Sequence, residues 1–77
     1  MSAIHRIVQN PEVMGGKACI QGTRVTASTV LSLLASGHTE KAILSSYPYL
    51  QREDILAALA YGSMRAAEVE TPMPDAA

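Results

Sequence analysis

The chain has 77 residues, 48% of them hydrophobic, and it carries a formal net charge of −1 with a pI near 6.0. With no Phe or Trp, it is expected to form one small domain with a lean core, of a size that disulfides, metal or a partner chain usually reinforce. The single Cys19 excludes an internal disulfide, and one Cys with two His is too few for structural zinc. We therefore expect a homodimer. The chain shows neither a membrane-length apolar run nor a signal sequence, which predicts no membrane association and a cytoplasmic location.

The charge is distributed unevenly along the chain. Residues 1 to 41 hold four basic and two acidic residues, giving +2, while residues 42 to 77 hold two basic and five acidic residues, giving −3. Domains that bind duplex DNA often have a pI above about 9. Non-specific attraction to phosphate is therefore expected to be weak, and DNA binding would need bases clustered locally, from two subunits.

Residues 1 to 25 are predicted to form an extended N-terminal segment. It contains two short β-prone pieces, Ile7-Val8 and residues 18–21, separated by turn signals that include Gly15-Gly16 and followed by Gly22. A two-stranded ribbon is marginal in water by itself. The ribbon is expected either to pack on helices or to pair across a dimer.

Two short helices are predicted next. The first covers about residues 27 to 35, with Thr26 as N-cap and Gly37 at the C′ position. Its inward face follows the i, i+3, i+4, i+7 spacing of Ala27, Val30, Leu31 and Leu34. Thr39 caps the second helix, which ends before Pro48. Its expected inward residues are Ile43, Leu44 and Tyr47.

The third predicted helix is the longest and begins near Arg52. Gln51 is a poor N-cap, but Asp54 stands at N3, and Leu50 and Ile55 are spaced as a hydrophobic staple. The predicted inward stripe is Ile55, Ala58, Leu59, Gly62 and Ala66. Residues 26 to 69 are thus a helical core in one domain with residues 1 to 25, and residues 70 to 77 are predicted to be a disordered tail.

No catalytic constellation is visible in the sequence. Cys19 falls in a predicted strand, His5 near the N-terminus and His38 in a turn between helices, so nothing brings a nucleophile to a base. A buried, inert thiol and two solvated imidazoles are the simpler interpretation. We expect no enzyme activity, no metal and no cofactor. The alternative is an enzyme that uses Cys19 with a histidine.

Two glycine-containing turns could be mistaken for a phosphate site. In Gly15-Gly16-Lys17 the glycine of a phosphate loop is replaced by Pro11, Ala18 follows the lysine, and no helix is predicted next. The pattern favours a tight turn with Lys17 facing water. Gly22 is predicted to permit a second turn, after which Arg24 is available to a carboxylate, a phosphate or solvent.

The second and third helices, separated by the proline-broken turn at Pro48, have the proportions of a helix-turn-helix. Gln51 and Arg52 would then reach base edges, since Gln can read adenine and Arg guanine, and Lys41 would add a third DNA contact. Glu53 would be exposed beside them, with Leu56 or Ala57. The acidic pair Glu53-Asp54 opposes this interpretation, because it suits a basic protein surface better than a phosphate backbone.

Together these segments resemble the bacterial and archaeal family called domain of unknown function 433, over about residues 5 to 67. The resemblance rests on the joint spacing of these motifs: Asn10-Pro11-Glu12, Gly15-Gly16-Lys17, Gly22-Thr23-Arg24-Val25, Tyr47-Pro48-Tyr49-Leu50 and Ala57-Ala58-Leu59-Ala60-Tyr61. That family is similar to antitoxins of the VapB type, and its members are often paired with a partner resembling PIN-like ribonucleases. The resemblance implies a mainly α, homodimeric fold with a helix-turn-helix-like three-helix core and a binding role.

The sequence and the resemblance lead to one functional expectation and one alternative. We expect an antitoxin-like module of a type II toxin-antitoxin pair that binds a PIN-like toxin protein and, through Gln51, Arg52 and Lys41, operator DNA. A second surface for the partner or the dimer would comprise Lys17, Thr23, Arg24 and Tyr61. The alternative is a pure protein-interaction and dimerisation domain that does not bind DNA.

Overall fold

A computed structural model of the chain describes residues 3–69. This part contains an antiparallel pair of strands and three α-helices, with 3-10 helices at Ala3–Arg6 and Met14–Gly16. The elements are β1 (Ile7–Gln9), β2 (Ala18–Ile20), α1 (Ala27–Ala35), α2 (Glu40–Ser46) and α3 (Arg52–Val69). The expected mainly α fold with a short N-terminal β segment is confirmed. The predicted tail, residues 70 to 77, lies outside the described residues.

The N-terminal ribbon packs on the helices. Its register pairs Ile7 with Ile20 and Val8 with Cys19. Beyond β2 the chain folds back, so that Ile20 N donates to Val25 O at 2.9 Å and Cys19 forms an isolated bridge with Thr26. Ile20 and Val25 are therefore buried in the core that the helices share, and the ribbon gains the packing that a free hairpin lacks.

Helix α1 begins and ends as its sequence predicts. The Thr26 side chain accepts a hydrogen bond from Thr29 N at 3.0 Å, which satisfies one of the free donors of the first turn. At the other end Gly37 has φ +96°, and the N–H groups of Gly37 and His38 donate to Leu34 O and Leu33 O. This is a Schellman motif, in which glycine adopts the left-handed conformation without steric cost.

Helix α2 is short and closes with a turn. Thr39 accepts from Ala42 N at 3.0 Å, Ile43 is fully buried, and Leu44 and Tyr47 pack against the core as expected. Leu50 N donates to Tyr47 O at 2.9 Å, so Pro48 lies inside a tight turn. This turn carries the chain directly into α3.

Helix α3 is capped by Asp54. The carboxylate accepts from Gln51 N at 2.8 Å, and Gln51 O in turn accepts from Asp54 N at 2.9 Å. Arg6 Nη1 donates to the other carboxylate oxygen at 2.8 Å. An acidic side chain at N3 therefore compensates for the poor cap at Gln51, and its charge is paired across the fold.

The predicted inward stripe of α3 is wrong in part. Ile55 and Ala58 are fully buried as expected, but Leu59, expected inside, is 43% exposed. Of Leu56 and Ala57, either of which was expected to be exposed, Leu56 is exposed and Ala57 is buried. Asp54, which is paired with Arg6, lies on the same buried side of α3 as Ala57 and Ala58, and Leu59 lies toward solvent. Ala66 is exposed as well, because α3 is much longer than α1 and its last turns extend beyond the core.

The core lies between the ribbon and the helices. Its buried members are Ile20, Val25, Ala27, Val30, Ile43, Leu50, Ile55 and Ala58. All of them are aliphatic and none is aromatic, in keeping with the lean composition. No helix within residues 3–69 is long and apolar enough to cross a membrane.

Candidate binding surfaces

The three residues predicted to touch DNA lie at the N-terminal ends of α2 and α3, a junction that the Arg52–Glu40 pair holds together, but two of them are already engaged. Arg52 Nε donates to Glu40 Oε1 at 3.1 Å, and Gln51 Oε1 accepts from Arg6 Nη2 at 3.5 Å. Lys41 is exposed and forms no ion pair within the described residues. The fold therefore brings these residues into one region but leaves only Lys41 without a partner among the described residues.

The charge of this junction is close to neutral. Glu40 balances Arg52, and Arg6 balances Asp54. Lys41 and Glu53 remain, both exposed and opposite in sign. A surface that attracts phosphate needs clustered positive charge, which this junction does not provide.

The residues predicted for a partner or dimer surface line two neighbouring grooves beside the ribbon. The larger, which we call the ribbon groove, has a volume of about 740 Å³, and Thr23 and Arg24 line it. A smaller groove of about 470 Å³ contains Lys17 and Tyr61. Gln9 lines both, so the predicted residues belong to adjoining surfaces.

The ribbon groove combines an apolar wall with polar edges. Its apolar residues are Val8, Pro11, Val13 and the buried Cys19, and its polar residues include Gln9, Asn10, Gln21 and Arg24. Such a mixture is typical of a surface that binds an apolar group and orients it by a few polar contacts.

Thr23 and Arg24 have different tasks in this groove. Thr23 Oγ1 donates to Ile20 O at 2.8 Å and accepts from Val25 N at 3.0 Å, so it holds the turn that follows β2. Gly22 enters this turn with φ +79°. Arg24 is exposed and forms no ion pair within residues 3–69, which leaves its guanidinium free for an anionic group.

The turn before β2 leads into Lys17, which lines the smaller groove. Gly15 and Gly16 have φ of +66° and +85°, conformations that glycine adopts readily. Gln9 Nε2 donates to Gly16 O at 3.3 Å and ties this turn to β1. Lys17 follows, exposed to solvent and without an ion pair among the described residues.

The side chains considered for catalysis lie on separate elements. Cys19 is a buried free thiol in β2, and His38 Nδ1 donates to Leu33 O at 3.1 Å at the end of α1. His5 is exposed in the first 3-10 helix, and no hydrogen bond joins it to the other two within residues 3–69. The described residues also contain no group of three or more His, Cys, Asp or Glu that could hold a metal ion.

One apolar surface was predicted only in part, since Leu56 was among the residues expected to be exposed but Leu59 was not. The solvent side of α3 carries Leu56, Leu59 and Met64, all more than one third exposed. The sequence feature that could have revealed this exposed face is the uninterrupted apolar run from Ile55 to Ala60, which is too long to belong to one helical face. Because the prediction placed Leu59 in the core, the exposed face was recognised only in part.

The fold and these surfaces define a small, mainly α protein with an N-terminal ribbon and open grooves. The chain belongs to the family described as "Protein of unknown function (DUF433)", whose profile matches residues 7–62. The family resemblance seen in the sequence is thereby confirmed.

Two other proteins are similar to this chain. Over 55 residues the chain is 33% identical to uncharacterized protein y4eO of Sinorhizobium fredii (strain NBRC 101917 / NGR234), a match that covers 71% of this chain and 25% of that protein. A crystal structure of a DUF433 member protein from Anabaena variabilis ATCC 29413 is similar with a TM-score of 0.76 and 32% identity. That match covers 84% of this chain and 64% of the other. The chain thus spans a quarter of the first relative and 64% of the second.

Proposed function

We propose that this protein is a non-catalytic, antitoxin-type module of the cytoplasm that holds an acidic protein partner in the ribbon groove. The observation that carries the proposal is the free, exposed guanidinium of Arg24 at the edge of a groove with an apolar wall. An apolar side chain of the partner would fill the groove, and a carboxylate would pair with Arg24.

The charge distribution supports an acidic partner. Arg24 and Lys17 lie on adjoining grooves beside the ribbon, and neither is compensated by a carboxylate within residues 3–69. Electrostatic complementarity accelerates association and selects against partners of the wrong sign. A toxin whose binding face is acidic fits this surface, in line with the antitoxin resemblance.

Binding of operator DNA receives less support. The N-terminal end of α3 would enter the major groove. There the positive charge of Arg52 is compensated by Glu40, and the acidic Glu53 is exposed. Of the three residues predicted to touch DNA, Lys41 alone is a basic residue without a carboxylate partner in the described part of the chain. We therefore favour the protein-binding half of the antitoxin interpretation.

The partner-binding test is co-expression of the full chain with the product of the neighbouring gene, followed by affinity purification and titration of the purified pair. Arg24→Glu is expected to weaken the complex about tenfold or more, since a charge-assisted contact becomes repulsive. Lys41→Glu makes the same change of charge on an exposed residue of α2, away from the groove, and is expected to leave affinity unchanged. Equal weakening by both variants, or none by Arg24→Glu, would contradict the proposal.

The DNA-binding test is a mobility-shift titration with the upstream promoter fragment at micromolar protein. The proposal predicts no shift with the wild-type chain. A shift that Arg52→Ala weakens and that added salt abolishes would instead support operator recognition through α3.

A further inference from the structure

We propose that two copies of this chain pair through the solvent face of α3, antiparallel and across a two-fold axis near Ala60. The contact row is formed by every fourth residue of the helix: Arg52, Leu56, Ala60, Met64 and Glu68. Residues four apart lie along one ridge of an α-helix, and this ridge winds about 40° around the axis at each step. This surface is distinct from the ribbon groove.

Four of the five residues of the row are exposed to solvent. Leu56 and Met64 are 38% and 49% exposed, so the row presents two large apolar side chains to solvent. The side chains of Arg52 and Glu68, at the two ends, are 67% and 52% exposed. Ala60 lies between them and is half-buried.

The order of side chains along the row makes it complementary to itself. When a second copy runs antiparallel and the two Ala60 residues face each other, Leu56 meets Met64 of the second copy. Arg52 and Glu68 lie on the two flanks of the helix, about 12 Å along the axis from Ala60, and their long side chains extend toward the opposite charge of the second copy. Both pairs occur twice because a two-fold contact is isologous. The apolar residues would be covered in the middle, and opposite charges would meet at both edges.

The small central residue allows the two helices to approach. Ala60 has only a methyl group at the crossing point, and packing of two i±4 ridges brings helix axes to about 8–10 Å at a crossing angle of about −50°. Leu56 and Met64 each lie about 6 Å along the axis from Ala60, from the rise of 1.5 Å per residue. They are close enough to the crossing point to be buried by it.

The existing ion pairs do not prevent this arrangement. Arg52 is paired with Glu40 at 3.1 Å and Glu68 with Arg65 at 2.8 Å, and both pairs are exposed. Exposed pairs of this kind contribute little to stability. Arg52 and Glu68 are therefore free to turn toward the second copy at small cost.

A second copy fits better than a different partner because the row supplies both halves of the interface. An unrelated partner would have to present an acidic, an apolar and a basic group in the matching order. The lean core gives a further reason, since a domain of this size gains stability when apolar surface is shared between chains.

The test is sedimentation equilibrium of the full chain over a range of concentrations. The wild type is expected to form a dimer that dissociates on dilution toward the 8.2 kDa monomer. Ala60→Arg places a long charged side chain at the crossing point and is expected to raise the dimer Kd about a hundredfold. Circular dichroism of the variant checks that the monomer remains folded.

Charge reversal gives a second test that does not depend on Ala60. Arg52→Glu or Glu68→Arg alone sets like charges against each other in two places and is expected to raise the Kd about tenfold. The double variant carrying both changes restores opposite charges and is expected to recover wild-type dimerisation. Lys41→Glu, outside the row, serves as the matched control.

A chain that is monomeric at all concentrations, or a dimer whose Kd does not respond to Ala60→Arg and the charge reversals, would overturn this inference. Because the measurement uses this chain alone, it does not depend on the partner-binding test of Arg24. Failure of one proposal therefore leaves the other intact.

Discussion

The two halves of α3 lie in different surroundings although they belong to one helix. In the first half Asp54, Ile55, Ala57 and Ala58 are buried, and the helix start is tied to Arg6. In the second half Ser63 to Glu68 are all exposed, and the ion pair Arg65–Glu68 is local to the helix. The first half packs one of its sides into the core, whereas the second half is exposed to solvent at every residue from Ser63 to Glu68.

This difference shows why similar residues have unequal roles along the helix. Ile55 and Leu59 are both large and aliphatic, but one is fully buried and the other is 43% exposed. Asp54 and Glu53 are neighbouring carboxylates, but only Asp54 is buried and paired. Each pair supplies a matched substitution that can test the comparison.

The largest effect is expected at Ile55. Ile55→Ala should lower the free energy of unfolding by about 2–5 kcal/mol, because it removes buried methyl groups and leaves a cavity. Leu59→Ala should lower it by less than about 1 kcal/mol, since that side chain is already partly in water. Urea denaturation at dilute protein measures both. Equal losses would show that the two sides of α3 do not differ.

If Ile55→Ala does not fold, Ile55→Val supplies the same comparison on a smaller scale. It should cost about 0.5–1.5 kcal/mol in unfolding free energy. A cost near zero would mean that this position is not tightly packed.

A smaller effect is expected at Asp54. Asp54→Asn removes the charge that accepts from Arg6 at 2.8 Å and weakens the cap at Gln51 N. We expect a loss of about 2 kcal/mol in unfolding free energy, a figure that allows for the partial solvent exposure of Arg6. Glu53→Gln is the control and should leave stability unchanged. The anchoring role of Asp54 would be refuted by an equal response at Glu53.

The smallest net effect is expected at Gly62, where the two halves meet. A Cβ added at this position would lie 2.9 Å from Leu31 Cδ1, so displacement of Leu31 should offset the gain of about 1 kcal/mol in helix propensity. Gly62→Ala alone should change stability by about 0.5 kcal/mol or less. In a Leu31→Ala background the same change should stabilise by about 1 kcal/mol.

This double-mutant comparison sharpens the boundary between the halves. A gain of similar size with and without Leu31 would mean that α1 does not limit α3 at this position. Thermal unfolding followed by circular dichroism is sufficient to measure the difference.

Local sequence signals predicted the helix ends well. Thr26 and Thr39 cap α1 and α2, and Gly37 ends α1, as the pattern indicated. These features depend on hydrogen bonds between residues two to five apart, so the chain carries them in short segments. The separate strands β1 and β2 were likewise visible as short β-prone pieces between turns.

The orientation of α3 could not be predicted in the same way. From Ile55 to Ala60 every residue is apolar, so hydrophobic periodicity selects no single face. The structure selects it through contacts between distant segments: Ile55 and Ala58 pack in the shared core, and Asp54 pairs with Arg6, 48 positions away. In this orientation Ala57 lies inward and Leu59 outward.

The candidate surfaces show the same division between local and distant information. Arg24 and Lys17 were identified because charged residues beside glycine turns are usually exposed. That they line adjoining grooves with Gln9 and Tyr61 depends on how the ribbon packs against the helices.

The amino-acid sequence alone determined the secondary-structure elements, their caps and turns, the lean core and the family. Each of these depends on residues close together in the chain, on composition or on the spacing of short motifs. Tertiary structure decided which side of α3 is buried, which charges are compensated and which remain free. Those properties arise from contacts between segments far apart in the chain, and burial or pairing exists only after the segments have packed together.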